Sequence, residues 1–332
     1  MNSINQLFEE YLKNEVNLDS KITKSAIECR ENLLKNIEEF DNEDGFFNLH
    51  SDFNINFGSF SRKTKCRELN DIDMMIGISA DDAKYDSTDN WNDVKITAST
   101  LNLSQIECTN VDGTLNSRKV LEKFKSKLEK VREYSRSEIK RNYEAIVLNL
   151  KTKTWNFDIV PCFQTVVESD GRNYYLIPNG NGNWKKTDPR IDKKNISDIN
   201  QFYEGKVLNL IRLTKKWNSK KNGIKILPSY LLEIFVYYYC KSKLVLENRI
   251  YINFSNVLEY IQTKIFESVK DIKDIQGDIN FLSFEDREKI SLKIGTELEK
   301  IKNAIAEEKN GNIEKAIEIW KKVFGEEFSS YE

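Results

Sequence analysis

The sequence predicts an α/β (α+β) chain in two lobes, a sheet-bearing N-terminal half followed by a helical C-terminal half. Three observations predict it. Apolar residues near the start recur at helical spacing: Leu7 and Tyr11, then Ile22, Ala26, Cys29, Leu33 and Ile37. Short apolar runs of strand character follow between about Asn54 and Phe163. From Asn195 to the end, helical periodicity dominates again.

Taken in order, Ile4 to about Phe40 reads as two helices broken at Asn17-Leu18-Asp19-Ser20, the second running on as a spine. The polar stretch Ala80–Asn92 reads as a surface loop. Asn116 to about Glu133 reads as a helix, with Asn116 or Ser117 as its cap. Gly171–Asp192 gathers Gly171, Pro178, Gly180, Gly182 and Pro189, and reads as a hinge-side loop between lobes. Helices are then expected at Phe202–Trp217, Pro228–Lys241, Phe254–Val269, Phe284 to about Glu308, and, after a break at Gly311-Asn312, Glu314–Phe324. The Lys/Glu-rich stretch Lys289–Lys309 reads as a solvated amphipathic helix. The expected division is residues 1–170 for spine and sheet, and 171–332 for hinge loop and helical lobe.

Two carboxylates open the strand Asp71-Ile72-Asp73-Met74-Met75-Ile76. Residues two apart on a strand point to the same face, so Asp71 and Asp73 share one. Like charges side by side on a buried strand are costly unless a cation neutralises them. Magnesium takes oxygen ligands, commonly one or two carboxylates plus substrate phosphates. An isolated Asp-x-Asp would equally be a solvated strand entry. Here it follows Phe57-Gly58-Ser59-Phe60-Ser61-Arg62-Lys63-Thr64. Gly58 permits a tight turn and a close backbone approach, Ser59 offers a hydroxyl, and Arg62, Lys63 and Lys65 add positive charge. The run lacks the Gly-x-x-x-x-Gly-Lys-Ser/Thr order of a Walker A loop. Downstream, Glu144–Leu150 and Thr154–Pro161 read as neighbouring strands across a Lys-Thr-Lys turn. Asp158 lies in the second, among Trp155, Phe157, Ile159 and Val160, where it needs a partner or a metal unless it caps the turn near Pro161.

Gly58-Ser59, Asp71-x-Asp73 and a distant Asp158 resemble the polymerase-beta-type nucleotidyltransferase superfamily. The wording Gly-Ser-Phe-Ser-Arg-Lys-Thr, Asn70-Asp71-Ile-Asp73 and Phe157-Asp158-Ile-Val-Pro161 resembles its bacterial cGAS/DncV-like nucleotidyltransferases, whose animal relatives are cGAS and the oligoadenylate synthases. Ile177-Pro178-Asn179-Gly180, Trp184–Pro189, Leu213–Asn218, Pro228–Glu233 and Ala316–Gly325 extend the likeness over nearly the whole chain. The resemblance implies a bilobal nucleotidyltransferase fold, with a mixed catalytic sheet and a helical lobe joined by the spine helix. It implies an enzyme that joins ribonucleoside triphosphates into a cyclic di- or trinucleotide second messenger, acting on a separate effector in bacterial anti-phage (CBASS) signalling. Asp71, Asp73 and Asp158 would be catalytic and hold two Mg2+ ions, or Mn2+. Gly58, Ser59 and Arg62 would face donor phosphates. By similarity to cGAS, Lys215 would reach the triphosphate, Ser229 would bond a phosphate, and Tyr230 would stack on the donor base. Without the resemblance, Lys215 and Lys216 read as a solvated helix face and Tyr230 as core. Asn179, Thr187 and Asp188 are candidates for the acceptor nucleotide, on a loop expected to overhang the cleft.

Composition agrees. The 332 residues carry a formal net charge of −2 with 31% charged residues, which argues against a basic surface for long nucleic acid. No apolar run is long enough to span a membrane, and the polar start Met1-Asn-Ser-Ile-Asn-Gln shows no signal peptide. Five scattered Cys without Cys-x-x-Cys pairing fit a reduced cytoplasm. The single His, His50, cannot build the His/Cys zinc insertion with which animal cGAS reads DNA, so double-stranded DNA sensing in that manner is not expected. Some relatives act with partner proteins that modify their C-terminus; the tail Phe328-Ser-Ser-Tyr-Glu332 leaves a regulatory partner open. The sequence also fits two other readings: linear oligoadenylate-type synthesis, or transfer to an RNA end or protein, on the same site; and a catalytically silent nucleotide-binding scaffold. The intact Gly58-Ser59 and three Asp argue against the last.

Overall fold

The computed structural model describes residues 3–42, 45–219 and 227–329. The end of the tail, residues 330–332, lies outside them. The chain forms two compact units, neither continuous in sequence: Ser20–Arg62 with Leu69–Lys193, and Met1–Asp19 with Lys63–Glu68 and Lys194–Glu332.

The first unit is built on a sheet. Its elements are α2 (Ser20–Glu38), β1 (Ile55–Phe57), the short α3 (Gly58–Ser61), β2 (Asp71–Gly77), β3 (Lys84–Tyr85), β4 (Ile96–Thr97), α4 (Leu103–Glu107), α5 (Ser117–Leu128), β5 (Glu138–Asn142), β6 (Ala145–Asn149), β7 (Asn156–Gln164), β8 (Tyr175–Pro178) and β9 (Trp184–Thr187). The strand order is β1-β2-β7-β6-β5, with β8 and β9 continuing from the far end of β7. Among the described residues only β2 and β7 pair in parallel; the other pairs of this sheet are antiparallel, so it is mixed as expected. A parallel neighbour needs a long crossover, and the segment holding α5 supplies it. Asn116 caps α5 by accepting from the amides of Arg118 (3.0 Å) and Lys119 (3.4 Å). Val120, Leu121, Phe124 and Leu128 recur at helical spacing and are buried, as α5 covers β5, β6 and β7.

The expected hinge loop is a strand hairpin. Tyr175–Pro178 and Trp184–Thr187 pair with each other and onto β7, and Pro189 then starts α6 (Pro189–Phe202). The turn residues are real but local: Gly180 and Gly182 take positive φ at the hairpin tip, where a glycine carries no steric penalty. The sheet unit therefore runs to Lys193, not to residue 170. The N-terminal region also divides, with the break at 17–19 parting α1 (Ile4–Tyr11) from α2.

The second unit packs α1 with α7 (Lys206–Asn218), α8 (Ser229–Lys241), α9 (Ile250–Lys264), α10 (Phe284–Lys309) and α11 (Ile313–Phe324). Ser3 and Gln6 form a reciprocal capping box that starts α1. α10 buries Ile290, Ile294, Leu298, Ile301 and Ala304 on an amphipathic stripe, and also buries Glu297, which pairs with Lys293 and Lys300, so its Lys/Glu-rich surface is not solvated throughout. The centre of this core is aromatic. Phe8 meets Tyr251, Trp320, Phe324 and Phe328 at ring separations of 4.7 to 5.7 Å. Phe8→Ala should therefore cost about 3–5 kcal/mol. A urea-unfolding midpoint within error of wild type would show that α1 is dispensable to this core.

Candidate active site

The sheet gathers the three acidic residues. In the β2–β7 pairing, Asp73 lies directly opposite Asp158, and Asp71 opposite Asn156. In-register residues on neighbouring strands face the same way about 4.8 Å apart, so Asp71, Asp73 and Asp158 share one face. Burial follows the alternation: Ile72, Met74, Phe157 and Ile159 are buried on the opposite face, while the three Asp are half-buried.

Gly58 stands against that face. Its φ is +69°, and a Cβ built there would lie 1.7 Å from Asp73 Oδ2 and 2.4 Å from Asp73 Cγ. The glycine thus supplies both the left-handed turn and the room for the carboxylate. Ser59 follows it in α3, and Arg62 closes that helix, its amide donating to the Gly58 carbonyl at 3.1 Å.

The three carboxylates fit a divalent cation by donor chemistry: hard oxygens on one face, whose mutual repulsion a cation relieves. Among the described residues, no three His, Cys, Asp or Glu side chains are drawn tightly enough together to hold an ion by themselves. Magnesium usually completes its shell with water and substrate phosphate, so the protein need not supply every ligand.

Lys215, Ser229 and Tyr230 belong to the helical unit. Ser229 is exposed at the first position of α8, where backbone N–H groups favour an anion. Lys215 is not on a solvated face. Its Nζ lies 2.7 Å from Glu233 Oε1, and the two side chains are 10% and 2% exposed. Glu233 also accepts from the Thr64 hydroxyl at 2.9 Å, and Thr64 is fully buried. Next to them, burial pushes the Cys66 thiol up to about 11, so it is no nucleophile at neutral pH. A carboxylate inside the apolar run Leu231–Cys240 signals a buried partner, but the sequence does not say which. Glu233→Gln leaves Lys215 facing a neutral amide in a dry setting. It should destabilise the unit by about 2–4 kcal/mol. A melting temperature equal to wild type would show that the pair is effectively solvated.

The acceptor candidates do not converge. Asn179 sits at the hairpin tip, donating to the Asn92 carbonyl (3.1 Å) and Asp93 Oδ1 (3.3 Å). Thr187 pairs with Tyr175, which in turn lies opposite Gln164. That level is six residues beyond Asp158 along β7, or about 20 Å of strand. Asp188 is buried and holds Arg190 through both carboxylate oxygens, at 2.7 and 2.9 Å, which raises the Arg190 pKa. Thr187 and Asp188 are thus engaged in the start of α6 and the end of β9.

Comparison with known proteins extends this picture. Residues 105–200 match the model of the Second Messenger Oligonucleotide or Dinucleotide Synthetase domain (SMODS), a span that includes Asp158 but not Gly58 to Asp73. A protein of Bacillus cereus strain VD146, described as a probable cyclic nucleotide synthase, is 40% identical over 330 residues, covering 99% of this chain and 98% of its own. Two solved structures of CdnC from E. coli MS115-1 share the fold at 16% identity. The one with ATP superposes at a TM-score of 0.70 over 98% of this chain and 99% of its own. The other, in complex with HORMA-deltaN, superposes at 0.69 over 98% of each chain. Among the described residues no helix is long and apolar enough to cross a membrane. The full-length identity to a cyclic nucleotide synthase, on a sheet that aligns Asp73 with Asp158, makes this chain a nucleotidyltransferase that belongs to the bacterial cGAS/DncV-like family.

Proposed function

We propose that this chain joins ribonucleoside triphosphates into a cyclic di- or trinucleotide, and that the product is a second messenger read by a separate effector in bacterial anti-phage (CBASS) signalling. The observation that carries this reading is the β2–β7 register, which aligns Asp73 with Asp158 and leaves Asp71 on the same face, with Gly58 set against Asp73. In each transfer a ribose hydroxyl oxygen bonds to the α-phosphorus of a triphosphate. The bond to the bridging oxygen breaks, pyrophosphate leaves, and a last transfer closes the ring.

Asp71, Asp73 and Asp158 would hold two Mg2+ or Mn2+ ions, which when bound lower the charge cost of the attacking and leaving oxygens. Ser59 and Arg62 bind and orient donor phosphates. In the helical unit, Ser229 offers its hydroxyl to a phosphate, Lys215 stands paired with Glu233, and Tyr230 offers its ring to a base. CdnC has been solved both with ATP and with HORMA-deltaN, which supports nucleotide substrates and a regulatory partner here.

The test is to incubate the purified chain with all four ribonucleoside triphosphates and Mg2+ or Mn2+, then analyse phosphatase-treated products by mass spectrometry. A phosphatase-resistant product one water lighter than the linear form supports cyclisation and names the bases. A linear ladder replaces this reading with oligoadenylate-type synthesis.

A further inference from the structure

The hydroxyl of Tyr230 is the meeting point of a buried ion pair that the reading above leaves unused. Asp271 and Lys273 are 1% and 3% exposed, and their side chains lie 2.9 Å apart. Lys273 Nζ donates to the Tyr230 hydroxyl at 2.7 Å, and that hydroxyl donates to Asp271 Oδ1 at 3.3 Å. The surrounding loop is closed around Asp271. Its carboxylate accepts from the amides of Lys273, Ile275 and Gln276, and its own amide donates to the Gly277 carbonyl at 2.8 Å.

Removing an ion pair from water is costly and adds little net stability, so such pairs are weak stabilisers but firm geometric constraints. Here the constraint falls on one atom. Tyr230 is half-buried and packs against the helical core at its base. Fixing its oxygen as well fixes the axis from Cβ to the hydroxyl, and with it where the ring lies, because the first side-chain torsion is then no longer free. Lys273 Nζ also lies 4.5 Å from the ring centroid, so it touches the ring as well as its oxygen. A phenol has one proton to donate. Asp271 takes it, so the hydroxyl has none to offer a base.

We propose that Asp271 and Lys273 are positioning residues that hold the hydroxyl end of Tyr230, so that Tyr230 meets a nucleobase through its ring face alone and the choice of base is made by other groups. The inference rests on Tyr230 being the donor-base platform, and the experiment separates the two. Dissociation constants of ATP, GTP, CTP and UTP are measured for the full chain and for Tyr230→Ala, Tyr230→Phe and Lys273→Met, with thermal melting as a check on folding.

Tyr230→Ala should weaken binding most. Tyr230→Phe and Lys273→Met should each weaken it about three- to tenfold, the size of one hydrogen bond's net contribution, and keep the ranking of the four nucleotides. The Phe variant keeps the ring and its packing, so it carries the test even if Lys273→Met does not fold. Unchanged constants in Tyr230→Phe beside weakened ones in Tyr230→Ala overturn the positioning role and leave the platform standing. Unchanged constants in Tyr230→Ala overturn the platform and the positioning role together. A reordered ranking in Tyr230→Phe overturns the claim that the ring face alone meets the base.

Discussion

Replacing Asp71 and Asp73 together by Asn should abolish nucleotidyl transfer and leave the fold standing. Asparagine matches aspartate in volume and shape, so Ile72 and Met74 on the other face keep their packing. The change removes two negative charges from a half-buried face that also carries Asp158. Relief of like-charge repulsion should offset part of what the contacts of the two carboxylates contribute, so the chain should still melt cooperatively. The chemistry has the opposite dependence, since a neutral amide is a far weaker ligand for a hard divalent cation than a carboxylate. Losing that charge at a phosphoryl-transfer centre should lower the rate by about 1000-fold or more. Pyrophosphate release and thermal melting, measured on the same preparation, decide it. Release above about a tenth of the wild-type rate would remove the carboxylates from the reaction. A collapsed melting curve would make them structural.

The legibility of this site in the sequence varies residue by residue, and the reason is range. Asp71 and Asp73 declare a shared face because strand alternation is local. Their alignment with Asp158 depends on the parallel pairing of β2 with β7 across a long crossover, and no local pattern sets that register. The family wording stood in for it. The α7, α10 and α11 segments read well because several helical turns repeat the same stripe, and α8, buried on nearly every side, because its apolar run is too long for one strand. The β8–β9 hairpin reads poorly for the converse reason. Its strands are four residues each, Pro178 lies inside one, and Gly180 and Gly182 crowd the tip, so punctuation outweighs periodicity. Asp271 and Lys273 carry no signal at all, being distant in sequence from the hydroxyl that they hold.

Gly58→Ala offers a sharper probe than removing a carboxylate, because it leaves every charge in place and moves only one of them. The new methyl group would sit 1.7 Å from Asp73 Oδ2 and 2.9 Å from Asp73 Cβ. Contact with the Cβ means that rotating the carboxylate aside is not sufficient, and the backbone of β2 or α3 must also shift. A second cost comes from φ at +69°, which an alanine adopts at a penalty of about 1–2 kcal/mol. The two costs separate by comparison with Gly171, whose φ is +79° and whose Cβ position is open space. Gly171→Ala should show the backbone penalty alone, a stability loss of about 1 kcal/mol with transfer activity intact. Gly58→Ala should lose more stability and, beyond that, about 100-fold or more in rate. A displacement of even 1 Å at a positioned reactive group costs on that scale. Full activity in Gly58→Ala with a melting temperature matching Gly171→Ala would mean that Asp73 does not depend on the space that this glycine leaves. A rate loss well beyond the stability loss ties the left-handed turn of the Gly-Ser motif to the placement of the carboxylate across from it.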